Sequence, residues 1–161
     1  MNPDGASGRA LWMQYVAAYR ELISARMALF HRNDLVDLVR SGVGDPLERA
    51  AALDIARLLR DEQKRELFPD LVALSTTAHG LTDDAIEIMT SLSKDWIISN
   101  IQPLMESILS NASDEEYRMA LRIYAGLSTS LARDLAIRAM NHPDPDIREA
   151  GEDWCSRLKE A

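Results

Sequence analysis

Apolar residues recur at helical spacing along nearly the whole chain after residue 8. In the first segment two adjacent apolar stripes predict one helix over about residues 9–31. The stripes consist of Leu11, Tyr15, Ala18, Leu22 and Leu29, and of Trp12, Val16, Tyr19, Ile23, Met27 and Phe30. Their combined face is wider than a lone surface helix needs, so we expect this helix to be covered on more than one side.

Turn signals divide the rest of the chain at regular intervals. Each cluster of turn residues ends in a residue that commonly caps a helix. The clusters lie at 41–46, 79–83, 110–114 and 141–145. Pro46 and Pro145 occupy positions that a first helical turn tolerates. Because β-branched residues are scarce and no stretch alternates for long, the pattern predicts helices throughout.

A repeated arrangement follows three of the predicted helix starts. Asp45, Asp114 and Asp144 are each followed four residues later by arginine, and two residues beyond that by alanine. The arginines are Arg49, Arg118 and Arg148, and the alanines are Ala51, Ala120 and Ala150. A fourth, degenerate unit begins at Asp83 and carries Glu87 where the others have arginine. The helices in front of two turns also correspond, since Pro69 and Pro103 stand in register.

These residues, most clearly 103–109 followed by 117–121 and by 144–150, resemble HEAT (armadillo-type) helical repeats. The resemblance implies an all-α fold, a short right-handed α-solenoid of about four helix pairs with an N-terminal capping helix. The final polar helix would cap the other end. The predicted layout is a disordered tail at 1–8, a single domain at 9–161 with its cap helix at 9–31, and repeats at about 32–60, 64–95, 97–127 and 129–160.

Composition narrows the class of partner. The 161 residues include 18 Lys and Arg against 26 Asp and Glu, a formal charge of −8, which argues against nucleic-acid binding. No apolar stretch is long enough to span a membrane. The start of the chain lacks the basic region of a secretory signal, and the single cysteine suits a reducing compartment, so we expect a cytoplasmic protein. A monomer is favoured.

The residues that most often carry chemistry do not form a recognisable catalytic pattern. His31, His79 and His142 each lie near a predicted helix C-terminus, where the helix dipole favours a cation. We find no metal-ligand spacing, no glycine-rich phosphate loop and no nucleophile motif. We therefore predict no catalytic, cofactor-binding or metal-binding residues, and no enzyme activity.

Three residue types have structural explanations in this pattern. The arginines Arg49, Arg118 and Arg148 are expected to bond the acidic turn residues of a neighbouring unit and not a phosphate group. Cys155 and Trp154 occupy the small and the large inward positions of the last repeat, so both are predicted to be buried. For Trp12 and Trp96 the pattern likewise favours packing over exposure as binding anchors.

The charge distribution carries the functional prediction. The second helix of each pair with its cap (45–60, 82–95, 113–127 and 144–160) has a net charge of 0, −3, −1 and −3. In the folds that this chain resembles, second helices line the concave surface, which would then be acidic. Helix-start dipoles account for much of this excess but not for acidic residues further along a helix. The predicted partner-binding residues are Asp84, Glu87, Glu116, Arg122, Glu149, Glu152 and Asp153.

An acidic concave face predicts a protein-binding module for a basic partner protein. A small acidic chain of this kind is similar to bacterial immunity proteins, which neutralise toxins that are often basic nucleases. The alternatives are a structural adaptor in a larger assembly and a HEAT-like enzyme, such as a pigment lyase or a DNA glycosylase relative. The acidic face argues against the glycosylase, which needs a basic channel.

Overall fold

The computed structural model describes residues 7–77 and 80–160, and every regular element in those residues is an α-helix. In chain order the helices are α1 (Gly8–Phe30), α2 (Leu35–Gly44), α3 (Arg49–Leu58), α4 (Asp61–Thr76), α5 (Thr82–Thr90), α6 (Lys94–Leu109), α7 (Asp114–Leu127), α8 (Thr129–Met140) and α9 (Pro145–Glu160). The predicted all-α class is confirmed. Residues 1–6, most of the predicted tail, and His79 lie outside the described residues.

Helix α1 begins one residue earlier than predicted, because the Ser7 side chain accepts a hydrogen bond from the Ala10 amide and caps the helix. His31 caps the C-terminal end, as its position suggested. No residue of α1 is buried. The prediction that its wide apolar face is covered on more than one side is therefore wrong for this single chain.

The chain divides into two compact units, Met1–Leu38 and Val39–Ala161. The first contains α1, and the boundary falls inside α2. In the second unit, α4 packs on α5, α6 on α7 and α8 on α9. Contacts of α3 with α5, α4 with α6, and α7 with α9 join each of these pairs to its neighbour along the chain. The helices from α2 onward fall within five residues of the predicted pair boundaries.

The core of the second unit consists of apolar residues from these pairs. Phe68, Tyr117 and a set of leucines, isoleucines and methionines are almost fully buried. The repeat position of Ala120 and Ala150 is fully buried, as is Met89 at the same position of the degenerate unit. In the first of the predicted repeats, Ala51 is exposed and Ala52 is buried instead. Helix α3 begins only at Arg49, and its buried positions are shifted by one residue relative to those of the other repeats.

The repeated arginines do not all bind as expected. Arg49 donates from Nε to the Val43 carbonyl at 2.9 Å, and Arg148 donates from Nη1 to the His142 carbonyl at 3.0 Å. The Val43 carbonyl lies in the last turn of α2, and the His142 carbonyl lies in the turn between α8 and α9, where Arg148 also donates to the Pro143 carbonyl at 2.7 Å. Carbonyls at helix ends and in turns lack intrahelical partners. The expected pairing with a neighbouring unit's aspartate is wrong for these two residues, whose guanidinium groups bind backbone carbonyls instead.

Tryptophan and cysteine burial also departs from the prediction. Trp154 and Cys155 are only half-buried, and Arg157 covers the Trp154 ring at 5.5 Å from its centroid. Both lie on α9, the last helix of the described chain, so no further pair packs over them. Trp96 is half-buried against the Phe68 edge at 5.0 Å, with Arg65 above its ring. Trp12 on α1 is exposed.

The two prolines predicted for first helical turns differ in position. Pro46 precedes α3 in a turn, whereas Pro145 starts α9 as predicted.

The closest helix crossing predicts a specific destabilising substitution. A Cβ on Gly151 would lie 2.6 Å from the Met140 backbone nitrogen and 2.7 Å from the Ala136 carbonyl oxygen. Gly151→Ala should force α8 and α9 apart and lower the free energy of unfolding by about 1–3 kcal/mol in urea denaturation. Gly126→Ala is the matched control, because a Cβ there meets no atom within 4 Å. That change should raise stability by about 0.5 kcal/mol. Equal effects of the two substitutions would contradict the close crossing.

Candidate interaction surface

Arginine side chains link the second helices of the pairs to one another. Arg57 on α3 donates from Nη2 to the Asp84 carboxylate and, at 3.1 Å, to the Glu87 carboxylate on α5. Because α3 and α5 also pack together, this arginine adds a charged link to the contact between these two helices. Its two acceptors lie on one side of α5, one helical turn apart.

The same kind of link continues toward the C-terminus. Arg122 on α7 donates to Asp83 on α5 at 2.6 Å. Arg118, also on α7, reaches Asp153 at 3.3 Å and Glu149 at 3.7 Å on α9. It also lies 3.5 Å from Asp114 in its own helix. Salt bridges therefore run across α3, α5, α7 and α9 in sequence.

We call these charged residues the acidic row. Its members are Arg57, Arg118 and Arg122 with Asp83, Asp84, Glu87, Asp114, Glu149 and Asp153. Three arginines thus hold six carboxylates, so the row keeps a negative excess after internal pairing. Glu87 and Glu149 leave 73% and 68% of their side chains exposed, which keeps carboxylate oxygens accessible to a partner.

The structure brings together five of the seven residues predicted from sequence. Asp84, Glu87, Arg122, Glu149 and Asp153 all belong to the acidic row. The remaining two do not. Glu152 is exposed on α9 and makes no ion pair with any residue that the structure describes, and Glu116 turns back onto the start of its own helix.

Glu116 completes a capping box at the start of α7. Its carboxylate accepts hydrogen bonds from the Ser113 hydroxyl and, at 2.8 Å, from the Ser113 amide. The bond from the Ser113 side chain is the main reason that the pKa of Glu116 lies below the ordinary glutamate value. A carboxylate engaged in this way serves the helix start and not a partner.

Sequence reasoning missed Arg57 and Asp83 as members of the surface, and it treated Arg118 only as a link to a neighbouring unit and not as part of a binding surface. A signal for them exists in the spacing. Arg57 precedes Asp84 by 27 residues, and Arg118 precedes Glu149 by 31, close to one repeat length. Residues one repeat apart lie on neighbouring second helices, so opposite charges at that spacing predict a link between them.

The ion pairs of the row contribute little to the stability of the fold. Salt bridges between exposed side chains contribute about 0–1 kcal/mol each, because water screens them and ordering long side chains costs entropy. Every arginine in the row already contacts a carboxylate, so none is left over for a phosphate group. The chemistry available to a partner is hydrogen-bond acceptance by carboxylates, which suits lysine and arginine side chains.

A second charged link lies away from the row. Arg138 on α8 donates from Nη1 to Glu106 on α6 at 2.6 Å, and this hydrogen bond raises the pKa of Arg138. Burial, with a smaller effect from Glu106, raises the pKa of the nearby Tyr124 to about 12. Tyr124 is therefore a neutral, buried side chain at physiological pH.

The described residues also bear on metal-binding clusters, membrane-spanning helices and grooves. Across 7–77 and 80–160 no three His, Cys, Asp or Glu side chains cluster closely enough to hold a metal ion. No helix in those ranges has the length and apolar character required to cross a bilayer. One open groove of about 220 Å³ lies between α8 and α9, with Ile137, Met140, Cys155 and Leu158 in its lining.

Comparison of the chain with protein-family models, with curated proteins and with solved structures produced no match. Function must therefore be inferred from the acidic row itself.

The capping role of Glu116 predicts a pH-dependent contribution to stability. A folded pKa below the ordinary value of 4.5 means stabilisation that is present above that pH and is lost as pH falls through the folded pKa. Wild type should therefore exceed Glu116→Gln in urea denaturation at pH 7, and the difference should shrink below about pH 4.5. Ser113→Ala should cost about 1 kcal/mol at pH 7. A difference that grows in acid would contradict this assignment.

Proposed function

We propose that this chain is a non-enzymatic protein-binding module whose acidic row binds a basic partner protein. The observation that supports it is the arrangement of six carboxylates held by three arginines across α3, α5, α7 and α9. A surface spread over four helices offers many shallow contacts, as a protein partner requires. A small-molecule site would instead need a deep pocket with converging polar groups.

The same contacts support a proposal for the architecture. Each helix pair from α4 onward packs internally and against the next pair along the chain. This is the contact pattern of a stack of repeats, in which each unit touches its neighbours. We propose a short right-handed α-solenoid of about four HEAT-like pairs, with the acidic row on its concave side.

Charge supports a basic partner. Residues 39–161 contain 14 Lys and Arg against 22 Asp and Glu, so they account for the whole formal charge of −8. An acidic surface accelerates encounter with a basic protein and disfavours wrong partners. The arginines of the row also hold the carboxylates in place before binding, which reduces the entropy lost when the complex forms.

Within this class we propose the role of a cytoplasmic bacterial immunity protein that neutralises a basic toxin. The size and acidity of the chain support this role over that of an adaptor. A nuclease toxin carries a basic substrate surface, and an acidic row could cover it. The alternative is an adaptor role, which the co-expression experiment described below distinguishes from the immunity role.

Charge reversal tests the binding surface. A tagged chain first captures its partner from cell extract at low salt, and surface plasmon resonance then measures association. Glu149→Lys with Glu152→Lys should lower the association rate at least about tenfold at low ionic strength, with a smaller effect at high salt. The free energy of unfolding should change by less than about 1 kcal/mol, because both residues are exposed.

The matched control is Glu66→Lys with Asp134→Lys, which changes the net charge equally on the first helices α4 and α8. Both of these residues are also exposed. The control should bind like wild type, apart from a small general charge effect. Equal slowing by both double variants would show that net charge, and not the acidic row, governs association.

Co-expression separates the immunity role from the adaptor role. If the captured partner arrests growth when produced alone, and the chain but not its Glu149→Lys, Glu152→Lys variant restores growth, the immunity role holds. A harmless partner, or several partners captured together, would indicate an adaptor instead.

A further inference from the structure

Three exposed aromatic side chains on α1 form an unusual surface in the first unit. Trp12, Tyr15 and Tyr19 expose 55%, 61% and 53% of their surfaces. Their rings stack along the helix, with centroids 5.8 Å apart for the first two and 6.4 Å apart for the second two. Large rings in a continuous exposed ladder are typical of a surface that another molecule covers.

The residue pattern of α1 indicates what kind of molecule covers it. From Trp12 to Leu29 the helix follows a heptad repeat whose a and d positions are Trp12, Tyr15, Tyr19, Leu22, Arg26 and Leu29. The flanking e and g positions from Leu11 to Phe30 are all apolar. Residues on the opposite side include Gln14, Arg20, Glu21 and Ser24. A heptad seam is matched by the seam of another helix packed alongside.

We infer that α1 pairs antiparallel with α1 of a second copy of this chain, so that the protein is a dimer and not the monomer favoured by its sequence. Arg26 is the one charged residue at an a or d position, and its side chain is half-buried within its own chain. A parallel pair would place the two Arg26 residues directly opposite each other. An antiparallel pair with Tyr19 opposite Leu22 of the second copy keeps the two Arg26 residues roughly 16 Å apart along the helix axis, and this favours the antiparallel arrangement.

The available surface is large enough for such a pair. A fully covered aromatic side chain buries about 150–250 Å², so the three half-exposed rings offer roughly 300 Å². With Leu11 and Leu22, both about half exposed, each helix offers on the order of 500 Å². The pair would bury roughly 1,000 Å² in total, which reaches the threshold for a specific interface.

Charge favours a second copy at this place in the chain. Residues 1–38 contain four arginines and four acidic residues, so they are neutral, while residues 39–161 carry the charge of −8. Two neutral α1 segments can therefore approach each other without net repulsion, whereas direct contact between two copies of residues 39–161 would bring like charges together.

Sedimentation velocity of the full chain, from low to high micromolar concentration, tests the pairing. Wild type should sediment as a dimer, and Tyr15→Glu with Leu22→Glu should sediment as a monomer with unchanged helix content. Met13→Glu with Met27→Glu is the matched control, because both methionines are exposed on α1 outside the seam. The control should remain a dimer. Tyr19→Ala alone, a milder change, should raise the dimer dissociation constant at least tenfold.

Spin labels test the orientation. Ala10→Cys in a Cys155→Ser background places one label on each helix, outside the seam. An antiparallel pair puts the two labels about 30 Å apart along the axis, whereas a parallel pair puts them side by side. A parallel distance would overturn the proposed arrangement.

Two further outcomes would overturn the proposal. One is a wild-type monomer at every concentration, which includes the case in which α1 docks within its own chain. The other is a combined result in which wild type sediments as a monomer and binds vesicles of anionic phospholipid, and in which Tyr15→Glu with Leu22→Glu abolishes the vesicle binding. That result would assign the aromatic face to a lipid surface instead.

Discussion

Burial of apolar faces between consecutive helix pairs is the constraint on which the second unit depends. A single pair of short helices cannot bury its own apolar side, and helices of 9–16 residues are marginal without tertiary packing. The pairs therefore must lie close together, and the alanines at the repeat position allow this. At the last crossing even alanine is too large, and Gly151 lets the α8 and α9 backbones approach. Once packing fixes the helices side by side, the positions of the charges on them follow.

Local signals made the helices predictable. Capping residues and proline lie in the sequence immediately beside the turns they create, so the starts of α7, α8 and α9 match the predicted boundaries closely. Five members of the acidic row were predictable for the same reason. The turn signals located the helices that carry them, and the charges of those helices can be read directly from the sequence. The burial of Trp154 and Cys155 was not predictable in this way, since it depends on whether another pair packs over α9. The repeat pattern describes the position within a unit but not its place in the stack.

The arginines show a second limit of sequence reasoning. Arg49, Arg118 and Arg148 occupy one repeat position, yet two of them bind backbone carbonyls and one binds carboxylates of the next pair. The choice depends on which acceptor lies nearest once the turn has formed. Arg49 and Arg148 donate to backbone carbonyls near the preceding turn, whereas Arg118 lies within reach of Glu149 and Asp153 on α9. Similar reasoning explains Glu116, whose carboxylate is drawn to the helix start by Ser113 and away from the surface.

The division of charge and apolar surface along the chain separates two kinds of recognition. The second unit carries the acidic excess on helices that are already well packed, so the proposed binding of a basic partner would depend on electrostatics with little apolar burial. The first unit is neutral overall, and its helix keeps aromatic rings exposed. Contacts of this second kind depend on buried area and are nearly insensitive to salt. Raising the ionic strength should therefore weaken attachment to a basic partner while leaving self-association through α1 intact, which makes the two proposals independent of each other.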